Sequence, residues 1–260
     1  MEKQAESNTI RPAVVPRPGV IGHIRYYLAL IAVALSLIIM GTPVLPISWI
    51  LVRLFNYREF IYPFGKIGAR LYMAAAGARV HLSGHEHLTQ GQPYVFVANH
   101  QSNLDPPMLM LHLGGNPGVL AKKELFRIPL LGQGFRLAHI LPIDRSNRES
   151  AIATTRAAAD KIRHGISVFA FPEGTRSLDG SIGQFKKGVF HMAIEAGVPV
   201  VPVVVNDTRL VMRKGTKYCI PGDVYMDILP PIPTTGYTEE NLDEFIARVR
   251  AEFPSRVRTD

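Results

Sequence analysis

Apolar positions along this chain fall into two kinds of run. Near the N-terminus no charge occurs between Arg25 and Arg53, and the stretch YYLALIAVALSLIIMGTPVLPISWILV lacks the polar face that a soluble helix keeps. From residue 91 the runs become short and β-branched: YVFVAN (94–99), HILPIDR (139–145), ISVFAFPEG (166–174) and VPVVPVVV (198–205). Such near-continuous hydrophobic strands are expected where both faces of a sheet are covered. Helical stretches separate them. One spans about 148–164, with Ser146 or Asn147 to cap its start and Gly165 to end it; another spans about 187–196 and ends at Gly197. Upstream, the pattern gives a helix around 64–76 and a short strand near 78–83. Strands alternating with helices predict the α/β class, with a largely parallel central sheet flanked by helices.

The N-terminal run predicts an apolar, membrane-embedded helical segment. Gly41, Pro43 and Pro46 interrupt it, and proline inside a helix removes a hydrogen bond. Residues 26–40 would make a helix about 22 Å long, short of the roughly 30 Å hydrocarbon core. Two arrangements follow: a kinked single span, or a helical hairpin sunk into one leaflet with Trp49, Tyr26 and Tyr27 near the headgroups. The hairpin is preferred. No A-x-A site follows the run, as a cleaved signal peptide would require. The expected organisation is a flexible tail (1–22), the membrane segment (23–57) and a catalytic domain (58–260).

Composition narrows the partners. With 260 residues, 47% hydrophobic and 19% charged, the chain is long and apolar enough to bury a core and is not a disordered polymer. Its single cysteine, Cys219, excludes an internal disulfide framework and fits a reducing compartment. A formal net charge of +8 calls for an anionic partner: nucleic acid, an anionic membrane surface or a phosphorylated substrate. No nucleic-acid module and no basic stripe interleaved with aromatics occurs, so no nucleic acid is expected.

Three of the four strand runs end in polar motifs: NHQSNLD, IDRS and FPEGTRS. Ligands of open α/β sheets bind beyond the carboxyl ends of the strands. One rim should therefore gather His100, Asp105, Asp144, Arg145, Glu173 and Arg176. A histidine with a carboxylate partner is a general base, the carboxylate fixing its tautomer. The four residues QSNL are enough for a turn that returns Asp105 to His100, while Asp105-Pro106 also suits a helix start with Asp105 near the cap. No G-x-S-x-G elbow supplies a serine nucleophile, and nothing marks Cys219 as reactive. The base is left to activate a substrate hydroxyl or water. Lys122, Arg145, Arg176 and Lys186 lie in or near the rim motifs, and together such cations hold a phosphate monoester. Lys123 and Lys187 read as solvated charges. GHEHL (84–88) reads as a loop with no metal site, and GQGFRL (132–137) lacks the third glycine of a dinucleotide fingerprint.

NHQSNLD, PIDRS, FPEGTRS and AGVPVVPV, in that order and at these spacings, resemble the four motifs of the glycerolipid acyltransferases, and most of all the 1-acyl-sn-glycerol-3-phosphate acyltransferases. AKKELFRIPLLG (121–132) and GQFKKGVFHMAIEAG (183–197) resemble the same group, and the likeness spans roughly residues 80–210. The resemblance implies that His100, oriented by Asp105, deprotonates the free hydroxyl of lysophosphatidic acid. The alkoxide then attacks an acyl-CoA or acyl-carrier-protein thioester without an acyl-enzyme. It implies that Arg145, Arg176, Lys122 and Lys186 bind the phosphate and that Glu173 and Gly174 shape the pocket. No metal or cofactor is expected beyond the thioester donor. The expected place is membrane-bound among membrane lipids, with the site facing the cytoplasm (in a bacterium, on the inner membrane). Acylation of glycerol-3-phosphate, a lysophospholipid or a lyso-aminolipid fits the same motifs. A hydrolase and a non-catalytic lipid-binding protein are the remaining alternatives.

Overall fold

The computed structural model describes residues 19–144 and 148–259. Its strands are β1 (Ala78–Ser83), β2 (Val95–Ala98), β3 (Gly118–Lys122), β4 (Ile140–Ile143), β5 (Val168–Ala170), β6 (Val200–Asn206) and β7 (Gly222–Ile228). They form one sheet in the order β1-β7-β6-β2-β5-β3-β4. Strands β2 to β6 run parallel, whereas β7 is antiparallel to β6 and pairs in parallel with β1. The expected α/β architecture with a largely parallel sheet is thus observed.

Pleating explains the apolar runs. Val95 and Val97 of β2, with Val200 and Val204 of β6, enter one buried cluster. Phe96 and Ala98, with Val201, Val203 and Val205, enter a second on the opposite face. The first cluster is closed by α6 (Arg148–Arg163), α7 (Gly188–Ala196) and α9 (Leu242–Ala251), through Ile162, Phe190 and Phe245. The second is closed by α3 (Tyr62–Ala76) and α4 (Asp105–His112), through Met73, Ala76, Met108 and Leu109. At roughly 1.5–3 kcal/mol per fully buried large apolar side chain, these two layers are the main favourable term in holding the sheet.

The expected strands at 78–83, 94–99, 139–145, 166–174 and 198–205 are present, the longer ones trimmed at their ends. The expected helices at 64–76, 148–164 and 187–196 are present as α3, α6 and α7. Two strands were not expected. GDVYMDI of β7 alternates, with Val224, Met226 and Ile228 buried between half-buried neighbours, so a search for continuous apolar runs passes over it. GVLAK of β3 is masked by the glycines before it and the charges after it. GQGFRL lies in α5 (Leu131–Leu137), a short helix with no strand leading directly into it.

The N-terminal segment forms α1 (Val20–Ile39) and α2 (Gly41–Phe55). The backbone stays helical at their joint: Met40 has φ −93° and ψ −39°, donates to the Ser36 carbonyl and accepts from Val44. The chain therefore passes from α1 into α2 without leaving helical backbone geometry, and Pro46 sits inside α2. On α1, Ile24, Leu28, Ile31, Leu35 and Ile38 make an exposed stripe, whereas Gly22 and Ala29 are buried and Ser36 meets Gly68 of α3. By length and composition α1 is long and apolar enough to cross a membrane.

Candidate active site

β2 stops at Ala98 and α4 starts at Asp105, leaving residues 99–104 as a loop at the carboxyl edge of the sheet. Asn99 fixes its root: the side-chain amide donates to the Val205 carbonyl at 2.8 Å and accepts from the Val205 N–H at 2.7 Å. Asp105 does not cap α4. It is the first residue of that helix, and its carboxylate turns back into the loop. Oδ2 accepts from the amides of Gln101 (2.7 Å) and Ser102 (2.8 Å) and from His100 Nδ1 (2.7 Å), while Oδ1 accepts from the Thr208 hydroxyl at 2.6 Å. Asp105 is 0% exposed. With donors around both oxygens, the carboxylate acts as acceptor, so Nδ1 of His100 carries the hydrogen and Nε2 offers the lone pair. The spacing His-x-x-x-x-Asp predicted this pair.

The FPEGTRS segment grips His100 from the other side. Glu173 Oε1 accepts from the His100 amide at 3.0 Å, and the Ser177 amide donates to the His100 carbonyl at 2.8 Å. The second Glu173 oxygen accepts from the Gly183 amide at 2.9 Å. Burial pushes the Glu173 carboxyl above the ordinary glutamate range, and these two amides partly offset that. Phe171 stacks on the imidazole, with centroids 4.0 Å apart at 20°. The side chain of His100 is 14% exposed, and among the described residues Nε2 has no partner.

Beside the histidine lies a cleft whose lining includes Glu173, Arg176, Asp179, Lys186 and Lys214. Gly174 turns its rim with φ +72°, and a Cβ there would meet Lys186 Cε and Nζ at 3.0 Å. Glycine therefore lets the lysine lie against the turn. A second, apolar recess lined by Leu120, Ile143, Ala170, Phe171 and Val189 adjoins Gly174 and Lys186.

The predicted residues divide as follows. His100, Asp105, Glu173, Gly174, Arg176 and Lys186 come together. Arg145 lies outside the described residues. Lys122 ends β3 with its side chain 62% exposed and 3.6 Å from Glu124, and is not among the residues lining the cleft. Lys123 and Lys187, read as solvated surface charges, are solvent-accessible and pair with Asp144 and Asp243. GHEHL, read as a loop, holds a single 3-10 turn at His85–His87, in which the His87 ring bonds the Ile228 carbonyl (2.9 Å) and the His85 ring that of His112 (2.7 Å). Thr208, Phe171 and Lys214 were not foreseen. Phe171 is next to the FPEG motif and was open to inference; Thr208 and Lys214 carry no local signal.

A buried aspartate bonded to a histidine at the carboxyl edge of a parallel sheet, beside a cation-lined cleft, is the arrangement of an α/β enzyme. The chain belongs to the acyltransferase family: the family model described as Acyltransferase matches residues 79–206. It is 36% identical over 207 residues to the 1-acyl-sn-glycerol-3-phosphate acyltransferase of Limnanthes douglasii, covering 79% of this chain and 70% of that one. It is 37% identical over 175 residues to 1-acyl-sn-glycerol-3-phosphate acyltransferase alpha of Homo sapiens, covering 67% of this chain and 62% of the human one. The crystal structure of the 1-acyl-sn-glycerophosphate (LPA) acyltransferase PlsC from Thermotoga maritima superposes with a TM-score of 0.72 at 26% identity, covering 88% of this chain and 94% of that one. The resemblance carried by the four motifs is thereby met.

Proposed function

We propose that this enzyme acylates the sn-2 hydroxyl of lysophosphatidic acid and releases phosphatidic acid. The observation that carries the reading is the pair His100–Asp105 at 2.7 Å, with Nε2 unengaged among the described residues and the His100 backbone bonded to Glu173 and Ser177 of a cation-lined cleft. The acceptor's O–H gives its proton to Nε2 as its oxygen attacks the carbonyl carbon of an acyl thioester, on coenzyme A or acyl-carrier protein. The new C–O bond forms, the C–S bond breaks, and the thiolate leaves with the proton from the imidazolium. Asp105 orients the ring and stabilises its charged form. No protein nucleophile takes part. Arg176 and Lys186 hold the phosphate, with Arg145 and Lys122 as further candidates from their motifs. The apolar recess beside Phe171 suits an acyl tail. The exposed stripe of α1 and the apolar surface of α2 suit insertion into the bilayer that holds acceptor and product, with residues 58–260 as the catalytic part. The names of the relatives support the acceptor.

The test uses the full chain in detergent with lysophosphatidic acid and labelled acyl-CoA or acyl-carrier protein. Wild type should form phosphatidic acid. His100→Ala should be slower by about 10²–10⁴, the usual worth of a general base, with its melting temperature preserved. Transfer only to another lyso-acceptor would move the substrate. Near-normal turnover by His100→Ala would remove the base.

A further inference from the structure

We infer that Lys214 is a third cation of the acceptor site and sets its preference for a phosphomonoester headgroup. This rests on the acceptor reading above. Lys214 stands in the connection between α8 (Thr208–Val211) and β7, beyond residues 79–206 that match the family model. None of the four motifs includes it.

Its surroundings differ from those of Lys122, Lys123 and Lys187. Lys122 and Lys123 lie against Glu124 and Asp144, and Lys187 against Asp243. Lys214 is half-buried and donates only to neutral oxygens: the Thr175 hydroxyl at 3.1 Å and the Arg176 carbonyl at 3.0 Å. Among the described residues no carboxylate pairs with it. An ammonium has three donors, so one remains for a ligand. The acids of the cleft are already engaged. Glu173 is taken by the amides of His100 and Gly183. Asp179 is taken by the hydroxyls of Ser177 and Ser181 and the Ser181 amide. Arg176, Lys186 and Lys214 thus line one cleft in which cations outnumber carboxylates, and among the described residues none of the three forms an ion pair, which suits an anionic phosphate.

Lys214 is also fixed in place. The Ser102 hydroxyl, inside the loop that carries His100, donates to the Met212 carbonyl at 2.8 Å, and the Thr216 hydroxyl donates to the Arg213 carbonyl at 2.9 Å. Two bonds to residues 175 and 176 then aim the ammonium at the segment that carries Arg176.

The experiment compares Lys214→Met and Lys214→Arg with wild type in full-length enzyme, reading kcat, KM and binding for lysophosphatidic acid, and melting temperature. Lys214→Met should raise KM on the order of 10- to 100-fold, as expected for one lost charge-assisted hydrogen bond, while kcat stays within about threefold. KM should also become less sensitive to added salt, and Lys214→Arg should recover most of the loss. An unchanged KM overturns the inference. So does a joint fall of kcat and melting temperature that arginine does not rescue, since that marks a staple for residues 175–176 only. Wild type that neither binds nor acylates lysophosphatidic acid overturns the acceptor assignment itself, a result distinct from either.

Discussion

His100 and Asp105 were legible from spacing because local chain geometry alone brings them together. Thr208, which completes the carboxylate's hydrogen bonds, was not, since only the sheet brings β6 and its following turn to that corner. Glu173 was legible as a motif member but not as a clamp on the His100 backbone. Its environment has a consequence for stability. Burial raises its folded carboxyl value above the ordinary glutamate range. A raised value favours the protonated folded form: that contribution is complete below the ordinary value and is lost as pH rises through the folded one. Wild type should therefore lose stability across that weakly acidic window, and Glu173→Gln should be flatter there. Melting curves of both proteins from about pH 4 to about pH 7 would decide it; parallel profiles would remove Glu173 from the account.

Among the elements, strands buried on both faces were the easiest to read, because β2 is wholly apolar and β6 is apolar up to its last residue, Asn206. β7 was lost to the opposite cause: its alternation belongs to the antiparallel flank of the sheet, where one face is only half covered. The junction of β2 with β6 positions the site, since the His100 loop starts from it. Asn99 closes that junction with two buried bonds to one residue. Asn99→Ala leaves the N–H and C=O of Val205 without those partners, at about 1–3 kcal/mol. The expected outcome is a melting temperature lower by roughly 2–4 °C per kcal/mol. A loss of activity steeper than the loss of folded protein should accompany it, because the histidine loop loses its root. Calorimetry and initial rates on the same sample check both.

For the molecule as a whole, the apolar N-terminus was legible and its inward face was not. Length and hydropathy mark α1 as long and apolar enough to cross a membrane, but only packing reveals that Gly22 and Ala29 of α1 are buried and that Ala29 shares a cluster with Met73 and Ala76. The two faces are separable by mutation. Leu28→Lys with Ile31→Lys changes only the exposed stripe, and each lysine costs about 2.5–3.5 kcal/mol at the centre of an inserted helix. The expected outcome is release of folded, catalytically competent protein from vesicles in a flotation assay. Undiminished flotation would mean that α1 is not the inserted element.

The 212–221 connection ties these scales together. At one end Ser102 holds Met212; at the other the Cys219 amide donates to the Gly22 carbonyl of α1 at 2.9 Å, and Tyr218 packs on His23 with ring centroids 5.9 Å apart. The first turns of the apolar helix thus brace the loop that carries Lys214. Anyone preparing this enzyme inherits that arrangement. Trimming the helix for easier handling would remove the brace on the 212–221 connection and slacken the cleft that Lys214 lines, whereas detergent around the intact chain keeps both.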